Sequence, residues 1–280
     1  MNNNIRILQL EELKMMKIVK EICENENLTY FMIGGTLLGA IRHNGFIPWD
    51  DDVDLAMPRD DYEKFLKVAG NYLPKSMFIQ NFRTDKKYRY YITRLLNKNV
   101  FVEEKRFIGA DTPQAYASVD IFPIDGSPNE YIFRKIHYLR IMARRFLISL
   151  CYRDTIDKER KRSKIEGILL SLLTKIPFEK MLNQNTIKEN LDKQLKKYNV
   201  DSSIYCGTIM GAYRIKEMVP RYMFGTPQIY KFEDDYFYGP ELVDDYLKHM
   251  YGDYMKLPPK DQQKTHYVNI KVLNEKISNQ

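Results

Sequence analysis

The chain has 280 residues, of which 44% are hydrophobic and 29% are charged, and its net charge is +7. This composition is typical of a globular enzyme with one large domain or a core with an appended subdomain, and the lack of repeats excludes a fibrous or solenoid protein. The longest apolar stretches, residues 146–151 and 168–173, are too short to cross a membrane, and residues 1–5 do not begin a signal peptide. Three widely spaced cysteines without a C-x-x-C motif favour a reducing cytoplasm over structural zinc. We therefore expect a cytoplasmic location.

The chain begins with a helix, a strand, two glycines and a second helix. Residues 8–24 have helical periodicity, whereas the apolar run at residues 30–33 is too short for a helix and suits a buried strand. A second helix then begins with Thr36 near its N-cap. Backbone amides of a Gly-Gly turn before a helix can approach a phosphate closely, so Gly34, Gly35 and Thr36 are candidate phosphate-binding residues. A tight turn explains the two glycines equally well.

Four aspartates lie within residues 50–54, where they repel one another unless a cation neutralises them. The stretch from Asp52 to Met57 alternates polar and apolar residues, which predicts a half-buried strand. Alternation places Asp52 and Asp54 on one face, about 7 Å apart, where they can share a divalent metal. The alternative is an acidic turn. Asp51, with its neighbour Asp50, could order the loop, contact a cationic substrate group or hold a water molecule.

The next elements are expected to complete a small mixed sheet flanked by helices, an α/β (α+β) fold. A helix is predicted at residues 60–73, and strands at residues 77–81, 90–96 and 118–122. Asp120 alternates with apolar neighbours and is a candidate third carboxylate for the metal, because two strand carboxylates seldom supply enough ligands. A turn-capping aspartate is its alternative. Asp125, beside a glycine, is predicted to lie in a turn.

The second half of the chain is predicted to be helical and then irregular. Basic and apolar residues interleave from Arg134 to Lys164 as in a long basic amphipathic helix, and residues 164–198 suggest two helices broken at Pro177. Residues 206–237 are expected to be irregular and aromatic, and residues 240–251 to form a final helix. We expect a catalytic core at residues 1–128, a helical segment with a basic face at 129–200, and a C-terminal segment at 201–280 folding over the site.

Three stretches of the chain form a recognisable set: residues 31–62 (FMIGGTLLGAIRHNGFIPWDDDVDLAMPRDDY), residues 119–125 (VDIFPID) and residues 246–259, which include YGDYMKLPP. Together they resemble the LicD phosphotransferases, bacterial relatives of fukutin within the nucleotidyltransferase superfold. The resemblance implies a nucleotidyltransferase-like core. It also implies transfer of a phosphorylated alcohol, typically phosphocholine, from a cytidine-diphosphate donor to a sugar hydroxyl of a cell-surface glycan or teichoic acid precursor, with release of CMP.

The resemblance also implies roles for individual residues. Asp120 matches the family position of the third carboxylate, so Asp52, Asp54 and Asp120 are expected to be catalytic and to hold Mg²⁺ (or Mn²⁺). Arg42 and Arg94 are candidate phosphate-binding residues, although Arg94 could equally be an exposed strand residue. The other candidates for substrate binding are His43, with a surface position as its alternative, and Tyr213, with a packing role as its alternative.

The expected partners are a CDP-alcohol, with CDP-choline favoured, and a glycan or lipid-linked glycan acceptor. The basic helix suits an anionic membrane surface at the inner face of the membrane, a solvated surface, or nucleic acid, which the resemblance disfavours. Two other functions stay open. One is transfer of a nucleoside monophosphate onto a small molecule, with pyrophosphate as the leaving group, and the other is a non-catalytic basic binding module.

Overall fold

The computed structural model describes residues 3–104, 115–152, 181–263, 265 and 267–272. Within these residues the fold is mixed α/β, which confirms the predicted class. The helices are α1 (Asn3–Glu26), α2 (Gly34–His43), α3 (Arg59–Val68), α4 (Tyr131–Leu150), α5 (Gln184–Leu195) and α6 (Val243–Tyr251). The strands are β1 (Phe31–Met32), β2 (Val53–Pro58), β3 (Met77–Gln80), β4 (Thr93–Glu104), β5 (Ala115–Gly126), β6 (Tyr205–Gly207), β7 (Met218–Pro220), β8 (Gln228–Phe232), β9 (Asp235–Gly239) and β10 (Tyr267–Val272).

Eight of these strands form one mixed sheet. Its main path runs β1-β2-β5-β4-β10, while β3 joins β4 and β6 joins both β5 and β7. The pairing of β2 with β5 is parallel, and the other pairings are antiparallel. Leu55, Ala56 and Met57 are buried in succession, because the sheet is covered on both faces at β2. Helix α1 covers one face and buries Met15, Met16 and other apolar residues against it.

Two predictions about the later elements are wrong. Residues 206–237 are not irregular, since they contain β7, β8 and part of β9, and the β8–β9 hairpin buries Phe232 and Phe237 in the main core. Asp125 does not lie in a turn, because β5 continues through Gly126 and pairs there with β6. Its buried carboxylate accepts hydrogen bonds from Arg59 at 2.7 and 2.6 Å. The charge of that arginine compensates the cost of burying the carboxylate.

Helix α4 begins three residues before the predicted basic helix and packs on α5. A second apolar cluster joins them through Tyr138, Ile141 and Ile148 of α4 and Leu191 and Leu195 of α5. Residues 153–180 contain the rest of the predicted basic helix and the predicted break at Pro177, and they lie outside the described residues. Among the described helices, none is long and apolar enough to cross a membrane.

The C-terminal residues return to the sheet at two places. Strand β6 pairs with the end of β5, and β10 pairs with β4. The domain boundaries at residues 128 and 200 stay a prediction.

Candidate functional site

The candidate site is centred on two adjacent parallel strands. Asp54 of β2 and Asp120 of β5 are directly paired in the register, which confirms the prediction that Asp120 lies on a neighbouring strand. Asp52 comes one residue before β2 and, like Asp54 and Asp120, is half-buried. Burial, followed by the charges of Asp52, Asp120 and Asp50, holds the pKa of Asp54 well above its ordinary value. The three predicted metal ligands therefore lie in one electrostatically coupled cluster.

The two glycines bring the start of α2 against these carboxylates. A Cβ atom on Gly34 would lie 2.5 Å from Oδ2 of Asp54, and one on Gly35 would overlap Oδ2 of Asp50. Gly34 also has a φ of +58°, in the left-handed region that favours glycine. The Gly-Gly pair is therefore required for close approach between the helix N-terminus and the acidic residues.

Thr36 lies in the first turn of α2, three residues after the N-cap residue Ile33, so the helix begins two residues earlier than predicted. The helix begins at Gly34, and Leu37 N already donates to Ile33 O at 3.0 Å. The Thr36 hydroxyl instead accepts a hydrogen bond from the backbone N–H of Asp54 at 2.8 Å. This bond fixes α2 to β2 beside the paired aspartates.

The acidic loop, residues 50–52, accepts hydrogen bonds from two segments that are far apart in the sequence. Gln9 of α1 donates from Nε2 to the backbone oxygens of Asp50 at 2.9 Å and Ile47 at 3.3 Å. Asp51 is fully buried, and its Oδ2 accepts a hydrogen bond from the Thr265 hydroxyl at 2.5 Å. Asp51 thus orders the loop, which was one of its predicted roles.

Glu12 is part of this site, although the sequence interpretation did not include it. Its side chain is buried on α1, one turn after Gln9, and its Oε2 has no hydrogen-bond partner. Burial and then the charges of Asp52 and the neighbouring aspartates hold its pKa well above the ordinary value. The available signal was a carboxylate among the inward-facing apolar positions of a helix, which is a rare position for an unpaired charge.

Arg94 lies in the site as a partner of Asp120. The two residues are paired in the register of β4 and β5, and Arg94 Nε and Nη2 donate to the Asp120 carboxylate at 2.9 and 3.3 Å. Its guanidinium also lies over the ring of Tyr90, 4.9 Å from the centroid. Arg94 is therefore not an isolated exposed strand residue, and its binding of phosphate stays a prediction.

Arg42 and His43 lie at the other end of α2, against the C-terminal segment. Arg42 donates to the backbone oxygen of Tyr254 at 2.9 Å and to His43 Nε2 at 3.0 Å. Burial, and then the charge of Arg42, lowers the pKa of His43, so its ring is neutral at pH 7. His43 acts here as an acceptor that orients Arg42.

Tyr213 belongs to a segment that adjoins the site through Glu217. The backbone N–H of Tyr213 donates to Glu217 Oε1 at 2.7 Å, and the Thr208 hydroxyl donates to the same carboxylate. Glu217 is buried, and its charge contributes to the raised pKa of Asp54. The Tyr213 ring is half exposed and contacts Tyr251 edge-on. Sequence reasoning missed Glu217, since no motif connects it with the distant aspartates.

The residues of this cluster fit a hard divalent cation. They offer carboxylate oxygens, the ligands that Mg²⁺ and Mn²⁺ prefer, and the unpartnered Oε2 of Glu12 is a buried acceptor that a cation could satisfy. In the part of the chain that the structure describes, no three carboxylate, imidazole or thiol groups already converge at metal-ligand distances. Arg94 already donates to the Asp120 carboxylate, so a cation bound by Asp120 would compete with this guanidinium.

Comparisons with known proteins identify the family of the chain. A family model described as "LicD/FKTN/FKRP, nucleotidyltransferase domain" matches residues 27–182. The lipopolysaccharide cholinephosphotransferase LicD of Haemophilus influenzae is 32% identical over 270 residues, covering 94% of this chain and 96% of that protein. The ribitol 5-phosphate transferases FKRP of human and mouse are 44% identical over 54 residues, which are 19% of this chain and 11% of those proteins. The chain therefore belongs to the LicD/FKTN/FKRP family and is a phosphotransferase of the LicD type.

Proposed function

We propose that this enzyme transfers a phosphoalcohol, with phosphocholine favoured, from a CDP-alcohol to a sugar hydroxyl of a cell-surface glycan or teichoic acid precursor, with release of CMP. The similarity along nearly the whole chain to a protein named lipopolysaccharide cholinephosphotransferase supports choline and a glycan. The FKRP proteins, named for ribitol 5-phosphate, support the wider phosphoalcohol class. A nucleotidyltransferase-like core and a cytoplasmic location are part of the same proposal.

The observation that carries the proposal is the register pairing of Asp54 with Asp120, next to Asp52. These three aspartates would hold Mg²⁺ (or Mn²⁺). Burial raises the pKa of Glu12, and this residue lies close enough for the charges of Asp52 and Asp120 to raise it further, so the cation would also interact with Glu12. When bound, the cation would neutralise the donor diphosphate and lower the pKa of the acceptor hydroxyl. The acidic cluster would otherwise repel a diphosphate, so metal and donor are expected to bind together.

The remaining residues position the donor and the acceptor. Gly34 and Gly35 leave room at the start of α2 for a phosphate beside the aspartates, and Arg42 and Arg94 supply positive charge. The acceptor oxygen forms a bond to the phosphorus that carries the alcohol, the bond from that phosphorus to the CMP oxygen breaks, and the hydroxyl proton leaves to solvent. His43, whose ring is neutral, accepts a hydrogen bond from Arg42 and positions that guanidinium.

Product analysis tests the proposal. The protein is incubated with Mg²⁺, CDP-choline and a glycan acceptor, in parallel with CDP-ethanolamine, CDP-ribitol and CDP-glycerol, and CMP and labelled glycan are measured. We expect equal amounts of the two products with at least one donor, and none with Asp54→Asn. Pyrophosphate release from a nucleoside triphosphate, with no CMP from any CDP-alcohol, would contradict the proposal and favour nucleoside monophosphate transfer.

A further inference from the structure

Helix α4 carries apolar side chains on two sides, and one of these sides faces solvent. The inward side packs on α5 through Tyr138, Ile141 and Ile148. On the outward side, the exposed fraction of Ile132 is 68% and that of Leu139 is 69%. Other large apolar side chains exposed on this helix are Tyr131, Phe133, Ile136, Phe146 and Leu147. A surface helix ordinarily turns polar residues outward, so packing among the residues that the structure describes does not account for the second apolar side.

The exposed residues form a continuous stripe. Ile132, Ile136, Leu139 and Phe146 follow one another at helical spacing and lie along one line on the helix surface. We call these four residues the outer stripe. A stripe along most of a 20-residue helix suits an extended apolar boundary better than a single side-chain pocket.

The charge of α4 is entirely of one sign. The helix has no Asp or Glu, and its basic residues are Arg134, Lys135, Arg140, Arg144 and Arg145. In helical projection Lys135 and Arg140 flank the outer stripe on opposite sides. An apolar stripe bordered by basic residues is complementary to a surface with an apolar interior and an anionic boundary.

We propose that the outer stripe of α4 docks on an anionic lipid bilayer. Its apolar side chains enter the boundary between headgroups and acyl chains, while Lys135 and Arg140 contact lipid phosphates. The binding is peripheral and depends on both buried apolar area and charge. It rests on the exposure and charge of α4, independently of the reaction that the enzyme catalyses.

The same helix is connected to the candidate site. Arg145 donates to the backbone oxygens of Ile209 at 3.2 Å and Gly211 at 2.8 Å, within the segment that carries Glu217. Glu217 in turn acts on the pKa of Asp54. Docking through α4 would therefore hold the enzyme at a lipid surface, where a lipid-linked acceptor would be met. This last consequence rests on the proposed function.

Vesicle flotation tests the docking without any substrate. The full chain is mixed with vesicles of phosphatidylcholine alone or of phosphatidylcholine with phosphatidylglycerol, over a range of salt concentrations. We expect binding to the anionic vesicles that weakens with salt. Ile132→Glu/Leu139→Glu should lower the partition coefficient at least about tenfold. Lys135→Gln/Arg140→Gln should lower it about fivefold for each charge removed.

A matched control makes the result specific to α4. Ile229 of β8 is 63% exposed, so Ile229→Glu is the same chemical change elsewhere on the surface and should leave vesicle binding unchanged. Circular dichroism and melting temperature verify that every variant is folded. Undiminished vesicle binding by Ile132→Glu/Leu139→Glu would overturn the proposal. So would a wild-type dimer that this variant dissociates while vesicle binding persists, because the stripe would then be a contact between two copies.

Discussion

Gly34 and Asp54 lie so close that a single added carbon would separate them, since a Cβ on Gly34 would be 2.5 Å from Asp54 Oδ2. The glycine therefore shapes the acidic cluster directly, in addition to leaving room for a phosphate. Gly-Gly sequences before helices are commonly understood through their ligands. Here the first neighbour of the glycine is the carboxylate that is expected to hold the metal.

Gly34→Ala should lower both stability and activity. The left-handed φ and the contact with Asp54 together should reduce the free energy of unfolding by about 1–3 kcal/mol, and displacement of Asp54 should reduce kcat at least about tenfold. Gly70→Ala is the control, because beyond the adjoining backbone no atom lies within 4 Å of its added Cβ. It should change the free energy of unfolding by less than about 1 kcal/mol. Urea unfolding of both variants measures the difference, and equal stabilities would contradict the contact.

Asp54→Asn should abolish turnover and the effect of metal, while stabilising the protein without metal. The raised pKa means that ionised Asp54 destabilises the folded state, increasingly so as pH rises from the ordinary pKa of the carboxyl. The amide removes this cost at neutral pH. Thermal unfolding in EDTA and in Mg²⁺ measures both effects, with an expected loss of activity of at least about a hundredfold. A variant with near-normal activity would show that the metal lies elsewhere.

Glu12→Gln should raise the stability of the metal-free protein at neutral pH, by about 1 kcal/mol. Because the folded-state pKa of Glu12 is raised, the penalty exists only above its ordinary pKa, and the gain should disappear in acid. Mg²⁺ should stabilise this variant less than it stabilises the wild type. Glu21→Gln, at an exposed position of the same helix, is the control in thermal unfolding. Equal behaviour of the two variants would place Glu12 outside the site.

Arg94→Gln should destabilise the metal-free protein by about 1–2 kcal/mol, because Asp120 loses its compensating charge. Mg²⁺ should then raise the melting temperature of the variant more than that of the wild type, since the cation no longer competes with the guanidinium. The double variant Arg94→Gln/Asp120→Asn should recover part of the lost stability. If Mg²⁺ stabilised wild type and variant equally, Arg94 would not compete with the cation for the Asp120 carboxylate.

Stability should decline in mild acid through His137. This buried residue of α4 contacts Gln194 at 2.9 Å, and burial followed by Lys197 and Arg140 lowers its pKa to about 4. As the pH falls, His137 takes up a proton in the unfolded chain before it does so in the folded protein. The free energy of unfolding is therefore unaffected by His137 above a pH of about 6.5, and it falls by on the order of 2–3 kcal/mol between pH 6.5 and 4. Urea unfolding across this range measures the loss, and His137→Gln should flatten it. A variant with the wild-type slope would assign the acid sensitivity to other groups.

The sequence predicted the elements that carry local patterns. Alternation around Asp54 and around Asp120 identified both strands, although β2 is covered on both faces and is therefore not the half-buried strand that the pattern predicted. The start of α2 was misplaced because Gly34 looks like a turn residue, whereas its left-handed φ is compatible with the first helical hydrogen bond. The β8–β9 hairpin was missed since its turn lacks glycine and uses Glu233 at a positive φ instead.

The sequence could not identify residues whose role depends on distant contacts. Glu12 and Glu217 join the acidic cluster only through the packing of α1 and the later segments, and no spacing rule connects them with Asp54. The same holds for Asp125, whose partner Arg59 is distant in sequence and compensates its burial. Local periodicity therefore supplied the strands of the site, and tertiary packing supplied its electrostatics.

The acidic loop is held by two residues that are far apart in the sequence, Gln9 of α1 and Thr265. In between, Glu233 accepts a hydrogen bond from Phe46 N at 3.1 Å and binds Arg6 of α1. During synthesis on the ribosome, the aspartates of the loop emerge long before Glu233 and Thr265. A nascent chain therefore cannot complete its acidic loop until Thr265 has left the exit tunnel, so the site is completed only after strands β1 to β9 have been synthesised.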